Sequence, residues 1–277
     1  MLSSLHSYQV ANIHSKQPWF VLSAEKYATN LTTENPVISH FYSFEVGKSQ
    51  TPTTAIPDGC VDLLFDCDSD SPVGLVCGTT LEATEVAFNQ NHRYFGMRFV
   101  PGFIPDFIEI SAPELTNKQC NIVDVVMNSQ DLVEQIVSAS SFQEQVQIAK
   151  QFMQGKQGRK PTNLTHQVAA KICHEKGNIQ VQDLEAFTGY CSRTLQRQFR
   201  ADLGLTPKAF CRAIRCQSAI YDINHLDKIA FSDLAFNLGF SDQSHFLREF
   251  KKLVSATPLE YQNRVKQKTY LDRIQCY

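Results

Sequence analysis

The sequence predicts an α+β protein: an N-terminal antiparallel β-barrel with flanking helices, followed by an all-α domain of two helix-turn-helix units joined by a long helix. Three observations lead to this fold class. Short β-branched and aromatic runs, separated by turn residues, fill roughly the first 115 residues. Helical periodicity fills most of the remainder. Within that helical part, a pattern of about 30 residues occurs twice.

Six runs in the first part predict strands. Pro, Gly, Asn and Asp separate these runs, which is the composition of turns. Short strands at such regular spacing are typical of an antiparallel barrel or sandwich. The runs are PWFVLSAE, VISHFYSFEV, CVDLLFDC, GLVCGTT, TEVAF and YFGMRFV.

A pair of helices is predicted over Gln130–Met153, where apolar residues recur at helical spacing. Ser141 is placed to cap the second helix, and Glu144, three residues on, would complete a capping box. The apolar stripes have two interpretations. They form a homodimer interface, or they cover the open end of the barrel.

Composition changes sharply at Gln154–Asn163, a polar, basic, Gly-containing segment without apolar periodicity. We therefore predict a sensor and dimerisation domain at 1–153, a linker at 154–162, a double helix-turn-helix domain at 163–265 and a tail at 266–277. The net charge is −8 over residues 1–159 and +6 over residues 160–277. The basic half is the candidate for binding a polyanion.

The two copies of the repeat share a glycine, an inward-facing apolar pair and a Thr-Pro step. A glycine that ends one short helix, followed closely by a second helix, predicts a helix-turn-helix in each copy. The matching positions are Asp183-Leu184 with Asp233-Leu234, Gly189 with Gly239, Leu195 and Phe199 with Phe246 and Phe250, and Thr206-Pro207 with Thr257-Pro258.

The outward faces of the second helices carry the chemistry that reads DNA. Arg matches guanine and Gln matches adenine in the major groove, whereas cations a turn further on suit phosphates. Thr206 and Pro207 begin a helix over Pro207–His225, whose 19 residues span roughly 28 Å. Such a rod would hold two recognition helices in successive major grooves, about 34 Å apart.

Residues 164–261 resemble the AraC/XylS family of bacterial transcription regulators. The resemblance rests on SRTLQRQFRADLGLTPKAF and on AFNLGFSDQSHFLREFKK with the later TPLEY. It implies contacts from both recognition helices. The implied base contacts are Arg193, Gln196, Arg197, Gln243, Ser244 and Arg248, and the predicted phosphate contacts are Arg200, His245, Lys251 and Lys252. For His245, a structural role is an equal alternative to a phosphate contact. Leu247 departs from the family pattern, and either touches a thymine methyl group or packs inward.

The N-terminal half is similar to the effector domains of one AraC subgroup, through IPDGCVDLLFDCD and GMRFVPGFIP. Those domains are cupin-like barrels followed by helices that often dimerise. The resemblance implies a DNA-binding regulator, more often an activator, that binds a bipartite double-stranded site, RNA polymerase and in many members a small-molecule effector. Pocket residues for such an effector are not predictable from the sequence.

Several other classes of function lack support. No apolar run is long enough to span a bilayer, and nine scattered cysteines without a C-x-x-C pair indicate reduced thiols in the cytoplasm. The family resemblance implies association with the nucleoid. We expect no metal, cofactor or catalytic residue, since the histidines of the N-terminal half form no His-x-His pair. An enzyme with a DNA-binding tail and a protein-interaction module that does not bind DNA remain as alternatives.

Overall fold

The computed structural model describes residues 17–32, 34–47, 53–68, 72–159, 161–226, 229–267 and 270–277. A sheet-rich N-terminal part precedes a helical C-terminal part, which confirms the α+β class. The strands are β1 (Ala24–Leu31), β2 (Ile38–Val46), β3 (Thr53–Ala55), β4 (Asp62–Asp66), β5 (Val73–Cys77), β6 (Thr84–Val86), β7 (Arg93–Phe99), β8 (Gln119–Asn121) and β9 (Ile274–Cys276). The helices are α1 (Pro18–Ser23), α2 (Ala112–Leu115), α3 (Ile122–Val125), α4 (Gln130–Ser138), α5 (Phe142–Phe152), α6 (Asn163–His174), α7 (Val181–Thr188), α8 (Ser192–Leu203), α9 (Pro207–His225), α10 (Phe231–Asn237), α11 (Gln243–Val254) and α12 (Pro258–Gln267).

The main sheet is open, so the predicted closed barrel is wrong. Its seven strands lie in the order β8-β5-β4-β7-β2-β1-β9, and the two edge strands do not pair with each other. All its pairs are antiparallel except β1 with β9. Strands β3 and β6 form a separate antiparallel pair. Closure is unnecessary because helices cover both faces of the sheet, and the two edge strands have only three residues each.

Alternate residues along the central strands enter two different cores. Leu63 and Phe65 of β4 join a cluster with helices α2 to α5, whereas Leu64 joins a cluster with α1 and the C-terminal helices. In β7, Phe95 and Met97 face the first cluster and Tyr94 the second. This period of two is what a strand requires. The C-terminal helices are therefore part of the packing of the N-terminal sheet.

The first predicted strand is partly wrong, because Pro18–Ser23 is a helix and the strand begins at Ala24. Pro18 is at the first helical position, where its ring is well tolerated. Each residue of Pro18–Leu22 is buried. A continuous apolar run carries no period, so it does not distinguish a helix from a strand. The other five predicted runs contain β2, β4 and β6 and overlap all but the first residue of β5 and of β7, as expected.

Helices α4 and α5 lie where the sequence predicted them, and their apolar stripes are buried in the core against the sheet. The backbone N–H of Glu144 donates to Ser141 Oγ, as predicted for the cap. The carboxylate of Glu144, however, accepts from Ser140 rather than from Ser141. Because these stripes are buried, the structure favours the interpretation that they cover the sheet over the interpretation that they form a dimer interface. No described helix combines the length and apolarity that a bilayer span requires.

The segments on either side of the helical domain pack onto the sheet domain. The backbone N–H of Arg159 donates to the Ile104 carbonyl at 2.9 Å. At the other end of the chain, β9 pairs in parallel with β1. A third contact joins the helical part to the sheet part. Trp19 Nε1 donates to the Val254 carbonyl of α11 at 2.8 Å, and the Trp19 and Tyr261 rings pack at right angles. The boundaries at 153, 162 and 265 remain predictions.

Candidate DNA-binding surface

The first helix-turn-helix unit consists of α7, a turn at Gly189 and α8. Gly189 has φ +74°, the left-handed conformation that ends a helix at low cost only for glycine. Leu195 and Phe199 of α8 are buried, as predicted from their spacing. The opposite face of α8 is therefore turned to solvent.

Helix α9 spans Pro207–His225, the bounds that the sequence predicts. The backbone N–H of Ala209 donates to Thr206 Oγ1 at 3.2 Å, which caps the helix start. The helix contacts α8 at the ring pair Phe199–Phe210 and contacts α11 through an ion pair between Arg212 and Glu249 at 2.8 Å. One rigid helix thus carries both candidate recognition helices.

The second unit consists of α10, a turn at Gly239 with φ +70° and α11. Phe246 and Phe250 of α11 are buried as predicted, and the Phe250 ring packs 5.9 Å from that of Tyr261. Sequence analysis missed Asp242 as the cap of α11. The backbone N–H of His245 donates to Asp242 Oδ1 at 2.7 Å, and this bond lowers the pKa of the Asp242 carboxyl. An Asp directly before an apolar helical period is the signal that could have found it.

All six predicted base-contacting residues are exposed, three on α8 and three on α11. Leu247 is partly buried and packs against the adjoining core. The assignments of these residues to bases and phosphates remain predictions. The six residues are Arg193, Gln196, Arg197, Gln243, Ser244 and Arg248.

The four predicted phosphate contacts differ in their surroundings. Arg200 and Lys251 are exposed, and His245 is partly buried, with its ring against the ring of Phe240 at 5.3 Å. Lys252 is different, because its Nζ lies 2.7 Å from the carboxylate of Glu82. That residue belongs to the segment between β5 and β6, so one predicted phosphate contact is bound by the N-terminal domain.

A second candidate site is a cavity of about 380 Å³ between the main sheet and the β3–β6 pair. Arg98 is buried there and binds two carboxylates. Its Nε and Nη2 each lie 2.8 Å from Asp62, and its Nη1 lies 2.9 Å from Asp58. Burial alone would lower the pKa of Arg98, but Asp62 and Asp58 hold that pKa well above its ordinary value. Burial raises the pKa of the Asp58 carboxyl, although Arg98 opposes this.

The two N-terminal motifs that carry the resemblance meet at this cavity. Pro57-Asp58-Gly59-Cys60 contributes Asp58 and Cys60 to its wall, and the strand β7 contributes Arg98. The N–H of Gly102 donates to the Gly59 carbonyl at 2.8 Å. Thr80 Oγ1 is buried at the same wall without a hydrogen-bond partner among the described residues. The sequence alone favoured turn formation over ligand contact at both motifs.

Metal ligands do not cluster in the part of the chain that the structure describes. Of the N-terminal histidines, His6 and His14 lie outside the described residues. His40 is buried on β2, and His92 Nδ1 lies 2.8 Å from the Asp66 carboxylate. No described cysteine is in a disulfide.

Comparison with known families identifies the two halves separately. Residues 184–264 match the family described as a helix-turn-helix domain, so this part of the chain carries such a domain. Residues 35–121 match a domain of unknown function (DUF6597). The matched range includes Asp58 and Arg98. The chain as a whole is covered by neither match.

Relatives match the helical half. The chain is 33% identical over 93 residues to the putative HTH-type transcriptional regulator YkgA of Escherichia coli, covering 33% of this chain and 38% of that protein. It is 35% identical over 68 residues to the HTH-type transcriptional activator RhaS of Enterobacter, covering 24% of each. The chain thus spans well under half the length of these relatives.

Solved structures overlap this chain to different extents. A probable AraC family transcriptional regulator from Rhodopseudomonas palustris covers 37% of this chain and 97% of its own, at 28% identity and TM-score 0.34. ToxT from Vibrio cholerae covers 82% of this chain and 98% of its own, at 9% identity and TM-score 0.44.

Proposed function

We propose that the chain is a sequence-specific transcription regulator that binds double-stranded DNA through two helix-turn-helix units. The observation that carries this proposal is the outward polar face of each second helix, held on the single helix α9. Leu195 and Phe199 anchor α8, and Phe246 and Phe250 anchor α11. The arginine and glutamine side chains opposite these anchors are exposed, and they match the base edges of the major groove.

A bipartite site follows from this arrangement. Because one chain carries two recognition helices, it would read two different half-sites about one helical turn apart. Arg193, Gln196 and Arg197 are assigned to one half-site. Gln243, Ser244 and Arg248 are assigned to the other. Arg200, His245, Lys251 and Lys252 are assigned to phosphates.

The N-terminal cavity is proposed as the effector site. Its volume lies within the usual range of roughly 300–1,000 Å³ for ligand pockets. Two carboxylates face one guanidinium there, and the Thr80 hydroxyl, which has no hydrogen-bond partner among the described residues, lies at the wall. Excess carboxylate favours a neutral or cationic molecule rich in hydrogen-bond donors. On this reading the N-terminal half is an effector domain of the AraC subgroup that the Pro-Asp-Gly-Cys motif indicates.

The remaining partners are proposed from the resemblance and from the relatives' names. An activator would contact RNA polymerase, and the protein would act in the cytoplasm on the nucleoid. A homodimer through 130–153 would have to use the polar faces of α4 and α5, because their apolar stripes are buried in the core. No catalytic residue or cofactor is assigned.

Salt dependence of binding is the first test of this function. The full chain should bind a labelled duplex with an affinity that falls steeply between roughly 50 and 200 mM salt. Three or four phosphate contacts predict a slope of about −3 in log affinity against log salt concentration. The measurement is fluorescence anisotropy in a salt series. If the chain were instead a protein-interaction module, it would not bind duplex in a salt-dependent way. An absence of salt-dependent duplex binding would therefore favour the protein-interaction module over our proposal.

A further inference from the structure

A cleft of about 360 Å³ separates helix α9 from helix α11. Its floor is apolar and its walls are charged, with cations in excess. The charged and ionisable residues that line it are Lys208, Arg212, Arg215, His245, Glu249 and Lys252.

Most of the positive charge in this cleft is not neutralised within it. Among the described residues that line the cleft, Glu249 supplies the one carboxylate, and it binds Arg212. The guanidinium of Arg215 lies 4.9 Å from the centre of the Phe240 ring, and its Nε is buried without a hydrogen-bond partner among the described residues. Burial lowers the pKa of Arg215. Lys208 is exposed at the mouth. An anion bound in the cleft would reduce the repulsion between its cationic side chains. It would also accept a hydrogen bond from Arg215 Nε.

The positions of these residues place the cleft beside the predicted base-reading face. On α9, spacings of four and three residues place Lys208, Arg212 and Arg215 on one helix face. On α11, the same spacings place His245, Glu249 and Lys252 on one helix face. Each helix position is rotated by about 100° from the next, so His245 and Glu249 flank Ser244 and Arg248. When Arg248 enters a major groove, this flank faces the sugar–phosphate backbone that borders the groove.

A carboxylate from the N-terminal domain binds Lys252, one of the residues that line the cleft. Glu82 Oε1 lies 2.7 Å from Lys252 Nζ, and both side chains are half-exposed. The backbone N–H of Ala83 also donates to the Lys252 carbonyl at 3.3 Å. The same segment contributes Thr79 and Thr80 to the wall of the N-terminal cavity, and Thr84, which follows it at the start of β6, also lies there. A molecule bound in that cavity would therefore contact the segment that holds Lys252.

We propose that the cleft between α9 and α11 binds the DNA backbone beside the second half-site, and that Glu82 takes the place of a phosphate at Lys252 in the DNA-free chain. The acidic N-terminal half thus lowers the affinity of the basic half for DNA. This inference rests on the proposed DNA-binding function. It adds Lys208, Arg212 and Arg215 to the phosphate contacts, which would steepen the expected salt slope from about −3 to about −6, and it gives Glu82 a competing role.

The phosphate site is tested with Lys208→Gln in the intact chain, using a pool of labelled random-sequence duplexes, because phosphate contacts are independent of sequence. Loss of one phosphate contact should lower the affinity and reduce the salt slope by about 0.9. Lys26→Gln is the charge-matched control, since Lys26 is 75% exposed on β1, on the other domain. An unchanged slope for Lys208→Gln, with steep salt dependence in the wild type, would overturn the phosphate site.

The competing role of Glu82 is tested with Glu82→Gln. Freeing Lys252 should raise the affinity for the same duplex pool about two- to five-fold, the range expected for an exposed ion pair. Glu85→Gln makes the same charge change nearby on an exposed side chain, and should raise the affinity less. In a Lys252→Gln background, the gain from Glu82→Gln should disappear.

The outcomes separate this inference from the function on which it rests. Equal gains from Glu82→Gln and Glu85→Gln would show a general charge effect and would overturn the role of Glu82. A gain that persists in the Lys252→Gln background would do the same. Failure of the wild-type chain and of Glu82→Gln to bind duplex at any salt concentration would instead contradict the proposed function.

Discussion

Replacing Arg98 with Gln is expected to lower the free energy of unfolding by about 3–5 kcal/mol. Arg98 is 3% exposed and is the shared partner of Asp58 and Asp62, which are themselves buried. The substitution removes one charge and leaves two carboxylates without a counter-ion in the sheet core. Breaking a buried pair in this way costs far more than the pair contributes when intact. Urea denaturation of both chains at pH 7 measures the difference.

The loss of stability in Arg98→Gln should depend on pH. Burial already raises the pKa of Asp58 above its ordinary value, and Arg98 opposes that shift. Without Arg98 the pKa should rise further, so the folded variant holds a proton that the unfolded chain has released. The added cost is then absent below the unfolded pKa of about 3.8 and grows as the pH rises through the folded value.

The difference in stability from the wild type should therefore be largest near pH 7 and shrink on acidification. The exposed pair of Lys26 and Glu45, at 3.6 Å, provides a control. Lys26→Gln should change stability little at any pH, because exposed pairs contribute little. A destabilisation by Arg98→Gln that is small, or that grows toward acid pH, would contradict the account of a buried charge cluster.

Replacing Arg248 or Arg197 with Ala should cost about 1–3 kcal/mol of binding free energy and relax specificity at one base pair each. Both side chains are exposed, and neither is in a salt bridge among the described residues. The folded chain should therefore keep its stability, and the loss should appear only on DNA. Binding of a selected site and of its single-base variants, measured for each mutant, gives the loss at each position.

Lys251→Ala is the matched control, because Lys251 is on α11 and is assigned to a phosphate. It should weaken binding to all sequences by a similar factor. If Arg248→Ala also weakened all sequences equally, Arg248 would be a phosphate contact and its assignment to a base would be wrong.

The helix-turn-helix units were predictable because their signals are local. Gly189 and Gly239 end helices through a backbone conformation that glycine adopts readily, and Thr206 with Pro207 begins the next helix. The four-residue spacing from Leu195 to Phe199 and from Phe246 to Phe250 identifies the buried faces. Each inference needs only residues within one or two helical turns.

The remaining structure depends on contacts between distant parts of the chain. The parallel pairing of β9 with β1 joins residues about 250 positions apart, and no local pattern reports it. The same holds for the ion pair between Glu82 and Lys252. Burial of Pro18–Leu22 against two parts of the fold also removed the periodicity that would have identified α1 as a helix.

The cavity is an intermediate case. The sequence identified the Pro57–Cys60 turn and the segment that forms β7 as motifs of the resemblance, and favoured turn formation over ligand contact at both. It did not place Asp58 and Arg98 in contact, because the pairing of β4 with β7 that brings them together is a property of the whole sheet. The motifs could therefore be recognised from the sequence, whereas the meeting of Asp58 and Arg98 at a cavity could not.

Capture of fragmented genomic DNA on the purified full-length protein, followed by sequencing across a salt series, tests the central claim most directly. The account predicts enrichment of one bipartite motif of roughly 16–20 base pairs, with half-sites about one turn apart. It also predicts that Arg197→Ala blurs one half of the motif and Arg248→Ala the other. Fragments that share no motif, or a motif with a single half-site that both variants blur alike, would contradict a regulator that reads DNA through two units on one helix.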